Sequence, residues 1–452
     1  MKTFLRRLLL VLLGLVGLVA LFYAEEDLRG WLAWKNCKST FAAKGVVLDW
    51  NAYIPPPVPD DQNFFKAPKM TDWFVRHNDP TITELHALST NTVTTATNLD
   101  EIVAAKYLAW SGQFQSEFDE LREALKRPYA RMEGDYSKPY EQPIPNFVNV
   151  RSVAQVLAKR AKCDLLLGQP DKALQELTLA HDMRRLLEAA PTGKPMTLVA
   201  AMINVAVTGL YVDTIASGLQ SHAWQEPQLA ALQKQLTEIN LTTFVLESLT
   251  RTEPAEVCRD FEIQSLPLAD LLSFNHYRKT KWSDKVKSLL WPRGWTYQNM
   301  VNIVMLEEKS LDGFDLAHDT VAPRKFEAEN REVDKFFRHN SPYKILAAIA
   351  IPNFTKAEQT AAHNQTMVNE AQIVCALERY RLANGEYPES LDALAPQFIE
   401  QLPHDIIGGE PLIYRRTADG SFLLYSIGWN EKDDGGKSGG TDYTKADWVW
   451  KN

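Results

Sequence analysis

An uncharged apolar run near the N-terminus, Leu8 to Ala24, constrains this chain more than any other feature. Its 17 residues would span roughly 25 Å as a helix, against about 30 Å for the hydrocarbon core of a bilayer. Three basic residues precede the run, and three acidic residues, Glu25 to Asp27, follow it. Since basic flanks stay in the cytoplasm, the pattern predicts one transmembrane helix with a cytoplasmic N-terminus.

A cleaved signal peptide has the same basic start and apolar centre, but it needs small residues at its cleavage site. Bulky Phe22 stands three residues before a cut after Ala24, which favours retention of the segment as a signal anchor. The chain is exported under both interpretations. We therefore predict a single-pass protein of the bacterial inner membrane with most of its chain on the periplasmic side.

Length and charge limit what the exported part can be. With 452 residues and 45% apolar content, the chain can bury a large core and favours two or three folded units. The net charge of −8 excludes a general nucleic-acid binder, which needs a basic face to displace counterions from phosphates. The predicted partners are the membrane and unidentified proteins of the cell envelope, and no nucleic acid.

Composition and periodicity predict four segments. Residues 1–24 form the anchor, and residues 25–95 form an extended spacer because prolines are dense there. Residues 96–340 form an all-helical domain, since apolar residues recur at threes and fours. Within it we expect a helical hairpin that turns at Gly168 with Asp171 as N-cap, and a fully buried helix over Thr197 to Val212. Residues 341–452 form a smaller unit.

A basic, tryptophan-containing segment spans His276 to Trp295 within the helical domain. Basic residues interleaved with tryptophan suit the surface of an anionic membrane. Tryptophans that pack inward beneath a solvated basic face are the favoured alternative. The sequence leaves both interpretations open.

Four cysteines are too few and too widely spaced for a disulfide framework or a metal site of the CxxC kind. The favoured interpretation is four unrelated buried thiols. An oxidising compartment also permits a bridge, for which we choose Cys258 and Cys375.

The C-terminal segment combines a helix with a small sheet. A helix-like stretch from Asn369 ends at Asn384-Gly385, since both residues tolerate the left-handed conformation. Strand-like runs at 412–416 and 421–426 are joined by Ala418-Asp419-Gly420, which signals a hairpin. Trp448 to Trp450 is a candidate last strand. The predicted fold is therefore mainly α: a transmembrane helix, a helical bundle, and a small α+β domain with an antiparallel sheet.

This order of elements in the last quarter of the chain resembles the major pseudopilin of type II secretion. The matching residues are Ala376, Leu377, Tyr380, Leu382, Asn384, Gly385, Tyr387 and Pro388 on the helix and its exit, Leu402, Pro403, Asp405 and Gly408 before the hairpin, and Tyr425 to Gly428 after it. The resemblance implies a pseudopilin-like α+β domain. It does not extend to the family's N-terminal membrane helix, because the apolar run Ile345 to Ile351 is too short to cross a bilayer. A head domain reused for interaction is therefore expected rather than filament assembly.

The resemblance also implies a calcium loop, since the family binds calcium after the strand that ends here at Ser426. The corresponding oxygen-bearing residues are Asn430, Asp433, Asp434, Asp442 and Asp447. Oxygen ligands on a flexible loop suit this hard cation, although an asparagine at position 430 lowers the ligand charge. A solvated acidic turn is the equal alternative.

Several short stretches match part of a catalytic motif but lack the other residues that the motif requires. Gly436 to Ser438 resembles the end of a phosphate-binding loop without its first glycine or its helix, and Ser341 to Lys344 fits Ser-x-x-Lys without the accompanying motifs. His-Asp pairs begin at His181, His318 and His404, with no second ligand at helical spacing. No catalytic or cofactor residues are predicted. The leading hypothesis is a non-enzymatic envelope protein that acts by protein contact, and the pseudopilin resemblance implies an association with secretion. The alternative is an enzyme or small-ligand-binding protein with its site in the helical domain.

Overall fold

The computed structural model describes residues 2–75, 79–90, 100–187, 197–263, 282–315, 317–339, 341–350, 354–440 and 442–451. Over these residues the protein is mainly helical with small antiparallel sheets, as predicted. The helices are α1 Lys2–Ala43, α2 Met70–Phe74, α3 Pro80–Thr90, α4 Glu101–Ser111, α5 Gln115–Leu125, α6 Phe147–Leu166, α7 Pro170–Met183, α8 Leu198–Gln220, α9 Glu226–Thr237, α10 Leu241–Glu247, α11 Glu253–Ile263, α12 Trp282–Leu289, α13 Arg293–Ser310, α14 Pro323–Phe337, α15 Ile345–Ala350 and α16 Phe354–Asn384. The strands are β1 Phe314–Asp315, β2 Thr320–Val321, β3 Ile413–Arg416, β4 Phe422–Ser426 and β5 Trp448–Val449.

Helix α1 confirms an apolar N-terminal helix compatible with a membrane anchor, and it is much longer than the apolar run. Its apolar side chains are exposed up to Phe22. The helix then continues to Ala43, where Glu26, Gly30 and Trp34 are buried at intervals of four residues. That spacing places them on one face, which packs against α13.

Residues 44–75 are not an extended spacer, so this part of the prediction is wrong. Short 3-10 helices cover Trp50–Tyr53, Asp60–Gln62 and Phe64–Lys66, and α2 follows. Large aromatic side chains on these turns are buried, among them Trp50, Phe64, Trp73 and Phe74. The prolines do prevent long regular helices, but the apolar residues between them still pack into a core with α3 to α7.

The predicted helical hairpin is confirmed as α6 and α7. Gly168 turns the chain with φ +67°, a value that glycine adopts without penalty. The N-cap of α7 is Gln169, with Pro170 in the first turn, so the prediction of Asp171 as the cap is wrong by two residues. Helix α8 confirms a helix at this position that packs into the protein, but it is not buried on all sides as predicted: its apolar stretch is long enough to span a membrane and is 56% buried, with Val199 exposed.

The predicted boundary at residue 340 does not separate two cores. The largest apolar cluster joins α6 to α10 with α16 and strands β3 and β4. A two-residue antiparallel pair, β1 with β2, also interrupts the region predicted to be all-helical. The C-terminal helix is therefore packed into the helical bundle.

The C-terminal sheet has the order β3-β4-β5 and is antiparallel throughout. The predicted hairpin is confirmed, with Ile413 opposite Tyr425 and Arg416 opposite Phe422. Gly420 adopts φ +83° in its turn. The predicted last strand is confirmed as β5.

All four cysteines are free thiols. Cys375 lies in the largest core, whereas Cys258 lies with Cys37 in a cluster formed by α1, α11 and α13. The bridge chosen between Cys258 and Cys375 is therefore wrong, and the interpretation as separate thiols is confirmed.

Candidate functional site: a cleft beside the C-terminal helix

A cleft lies between the end of α8, helix α16 and the C-terminal strand. It has two compartments, of about 360 Å³ and about 300 Å³, and both are lined by Gln220 and Trp450. The Gln220 amide donates to the backbone oxygen of Lys451 at 2.9 Å, which ties α8 to the C-terminal strand. We name the two spaces the His222 compartment and the His363 compartment.

The His222 compartment is built around a buried carboxylate, Glu378. It accepts hydrogen bonds from the Nδ1 of His222 (2.9 Å), from the guanidinium of Arg381 (2.6 and 2.9 Å) and from the hydroxyl of Tyr387 (2.9 Å). Burial by itself raises the pKa of Glu378, but these donors and the charge of His222 bring that pKa below its ordinary value. The carboxylate therefore stays ionised and makes Nδ1 of His222 a donor.

The end of α8 directs His222 toward this carboxylate. His222 adopts φ +51°, and the amide of the following residue, Ala223, donates to the carbonyl of Gly218 at 2.8 Å. Gly218 is required here, because a Cβ at that position would lie 2.2 Å from the indole nitrogen of Trp224. The left-handed turn ends the helix and brings the imidazole to α16.

The His363 compartment contains two buried titratable groups whose charged forms are disfavoured by burial. Burial lowers the pKa of His363 to about 4 and raises the pKa of Glu370 well above its ordinary value. The His363 ring stacks on Tyr443 at 4.0 Å between centroids and meets the edge of Trp448 at 5.2 Å. Within the part of the chain that the structure describes, His363 Nδ1 and one Glu370 oxygen have no hydrogen-bond partner. The compartment thus combines aromatic surface with unused hydrogen-bonding groups.

Sequence reasoning missed these residues although one signal was present. His363, Glu370 and Glu378 recur at intervals of seven and eight, so they share one face of α16, on which Val374 and Leu377 also lie. A titratable residue on a buried face marks a functional candidate. The residues that these side chains contact come from α8 and the C-terminal loop, and no local sequence pattern predicted those contacts.

The residues predicted to bind calcium lie in and beside this cleft. Asp442 and Asp447 line the His363 compartment. Asp447 accepts hydrogen bonds from the backbone amides of Asp434 (3.1 Å) and Gly436 (2.7 Å). Asp442 pairs with Lys445 at 2.6 Å, which lowers the pKa of Asp442 to about 2.

The other predicted ligands hold the same loop. The Asn430 amide donates to Asp434 at 2.8 Å, and the hydroxyl of Tyr425 donates to Asp433 at 3.0 Å. Across the described ranges, no group of three or more histidine, cysteine, aspartate or glutamate side chains is arranged to hold a metal ion. Calcium binding here remains a prediction of the sequence resemblance.

The basic, tryptophan-containing segment is described from Trp282 onward, and its earlier part, 276–281, lies outside the described residues. Trp291 and Trp295 pack against each other edge to face, with centroids 5.2 Å apart. Trp295 also donates to the buried Glu26 of α1 at 3.0 Å. These two tryptophans follow the inward-packing interpretation, whereas Trp282 is exposed.

Comparison with known proteins finds no matching family model, no similar curated protein and no similar solved structure.

Proposed function

We propose that this is a single-pass protein of the bacterial inner membrane whose exported body acts by binding another protein, one short segment of which sits in the cleft. The anchor part of the proposal is supported by the exposed apolar surface of α1, since a continuous apolar surface of this length suits the hydrocarbon core of a bilayer. The observation that carries the binding part is the pair of compartments on either side of Trp450.

The two compartments differ in the side chain that they suit. An extended segment directs alternate side chains the same way, roughly 7 Å apart, so neighbouring pockets can take residues i and i+2. The aromatic rings of the His363 compartment suit an apolar or aromatic side chain, and charged side chains such as Asp442 and Asp447 line the rest of this compartment. The His222 compartment, lined by the ionic group of His222, Glu378 and Arg381, suits a polar one. We therefore expect a polar and an apolar residue two positions apart in the partner.

The test uses the full-length protein in lipid nanodiscs and a phage-displayed library of random peptides. Enriched peptides are resynthesised with a fluorophore, and their affinities are measured by anisotropy. Ser217→Trp places an indole in the His363 compartment and should weaken binding by at least about tenfold, which is 1.4 kcal/mol. Ser116→Trp, on the exposed surface of α5, is the matched control and should bind like the wild type. Equal affinity for both variants, or no enriched peptide, would overturn the proposal.

The alternative function, an enzyme, is favoured by one observation. The side chain of His222 is 51% exposed while a buried carboxylate holds its Nδ1, an arrangement that orients an imidazole as a general base. Within the described part of the chain, the imidazole is hydrogen-bonded to Glu378 and to no serine, threonine or cysteine. Turnover of ester or peptide substrates that disappears in His222→Gln, with an unchanged melting temperature, would support catalysis. The association with secretion machinery stays a prediction of the sequence resemblance.

A further inference from the structure

Helix α12, which directly precedes α13 in the chain, exposes large apolar side chains. Trp282 is 79% exposed, Leu289 is 83% exposed and the adjoining Leu290 is 59% exposed. Trp282 and Leu289 are seven residues apart, which is two helical turns, so they lie on the same face. Single exposed apolar residues are common, but three within nine positions form a patch that marks an interaction surface.

The position of this patch identifies its partner. The end of α12 contacts α1 where the apolar run ends, because the hydroxyl of Tyr23 donates to the carbonyl oxygen of Leu290 at 2.7 Å. One residue earlier, the ring of Phe22 meets the edge of Trp295, with centroids 6.3 Å apart. Leu21 is 68% exposed, whereas Glu26 is only 4% exposed. The body thus begins at the level of Tyr23, and the C-terminal end of α12 lies at that level.

We propose that α12 lies in the outer interface of the bilayer that α1 crosses, with Trp282 and Leu289 among the lipid chains. The inference rests on the proposed membrane span. Tryptophan prefers the interface between water and hydrocarbon, and a short amphipathic helix can lie in the plane of that interface. The exposed Lys287 belongs to the same helix, and a lysine stem can reach from an apolar face to the lipid phosphates. The body therefore touches the membrane at a second point, which limits how it can tilt about α1.

Site-directed spin labelling of the full-length protein in nanodiscs tests this inference. Cys37 is replaced by serine, which leaves only the three buried cysteines, and a label is placed at Leu289→Cys. Oxygen collects in lipid whereas a nickel chelate stays in water, so the ratio of their collision rates reports depth. Labels at Leu12→Cys, within the apolar run, and at Ser116→Cys, on the exposed surface of α5, are the lipid and water references.

We expect the label at position 289 to show a collision ratio near that of position 12 and severalfold above that of position 116. Adding Trp282→Asp should shift the ratio toward the water reference, and this exposed substitution leaves the core untouched. A label at 289 in water, with position 12 in lipid, would overturn this inference and leave the membrane span intact. Position 12 in water would overturn the membrane span itself. A label at 289 shielded from both reagents would show that protein covers the patch and would also overturn the inference.

Discussion

The crossing of α1 and α13 at two glycines allows a quantitative prediction. A Cβ on Gly30 would lie 2.2 Å from the carbonyl oxygen of Gly294, and a Cβ on Gly294 would lie 1.9 Å from the carbonyl oxygen of Glu26. The substitution Gly30→Ala therefore cannot be accommodated in place. Reaching an ordinary contact of 3.4 Å or more requires the helix backbones to separate by about 1 Å.

Three contributions set the size of the effect. Overpacking costs about 2 kcal/mol. The separation also strains the hydrogen bonds that Glu26 accepts from Trp295 (3.0 Å) and Tyr343 (2.9 Å), and losing one bond to a charged group costs about 2 kcal/mol. Alanine regains about 1 kcal/mol through its higher helix propensity. We expect Gly30→Ala to lower the free energy of unfolding by about 3 kcal/mol.

Urea unfolding of the full-length protein in detergent, followed by tryptophan fluorescence, measures this change. Gly112→Ala is the control, since a Cβ there meets nothing within 4 Å and its φ of −64° suits alanine. The control should equal the wild type or gain up to about 1 kcal/mol. If Gly30→Ala proved as stable as Gly112→Ala, the close crossing of α1 and α13 would be refuted.

Three further predictions concern the cleft. Glu378→Gln should cost about 3 kcal/mol at pH 7, because it leaves the charge of Arg381 without its partner and removes a carboxylate oxygen that accepts from His222 or Tyr387. Since the pKa of Glu378 is lowered, the stability that its carboxylate contributes is present above its unfolded pKa and is lost as pH falls through the folded value. The melting temperatures of variant and wild type should therefore converge in acid. The pKa of His363 is lowered to about 4, so as pH falls the imidazole is protonated in the unfolded chain before it is protonated in the folded protein. The free energy of unfolding of the wild type should therefore fall between pH 6.5 and 4, by up to about 1.4 kcal/mol per pH unit. Urea unfolding of His363→Gln at the same pH values should lack this contribution. The calcium prediction is checked by the melting temperature of the full-length protein, which should rise at millimolar calcium in the wild type but not in Asp434→Asn. An unchanged melting temperature in the wild type would refute calcium binding.

The calcium experiment needs the full chain because of the shared core. Val368, Val374 and Leu377 of α16 pack in the same cluster as Val212 and Ile215 of α8. A fragment beginning at residue 341 would expose the part of α16 that packs against α8, α9 and α10. The sequence resemblance suggested a separate C-terminal unit, and tertiary packing joins that unit to the bundle.

Local patterns in the sequence were sufficient for many of the elements. The uncharged run in α1, the turn at Gly168 and the hairpin around Gly420 were predicted because their signals lie within a few residues of one another. The length of α1 was missed because its charged continuation was grouped with the proline-rich stretch that begins at Pro55, and the two together suggested a spacer. The burial of Glu26 depends on Trp295 and Tyr343, which lie more than 260 residues further along the chain.

The sequence by itself therefore determined the exposed apolar helix, the mainly helical character and the small C-terminal sheet, because periodicity and turn residues act over short distances. Tertiary structure alone decided which polar residues meet. His222 and Glu378 are 156 positions apart, and their contact exists only because α8 packs against α16 and ends at a left-handed turn. The cleft has the same origin: α8, α16 and β5 close around Trp450, and no local pattern encodes that meeting.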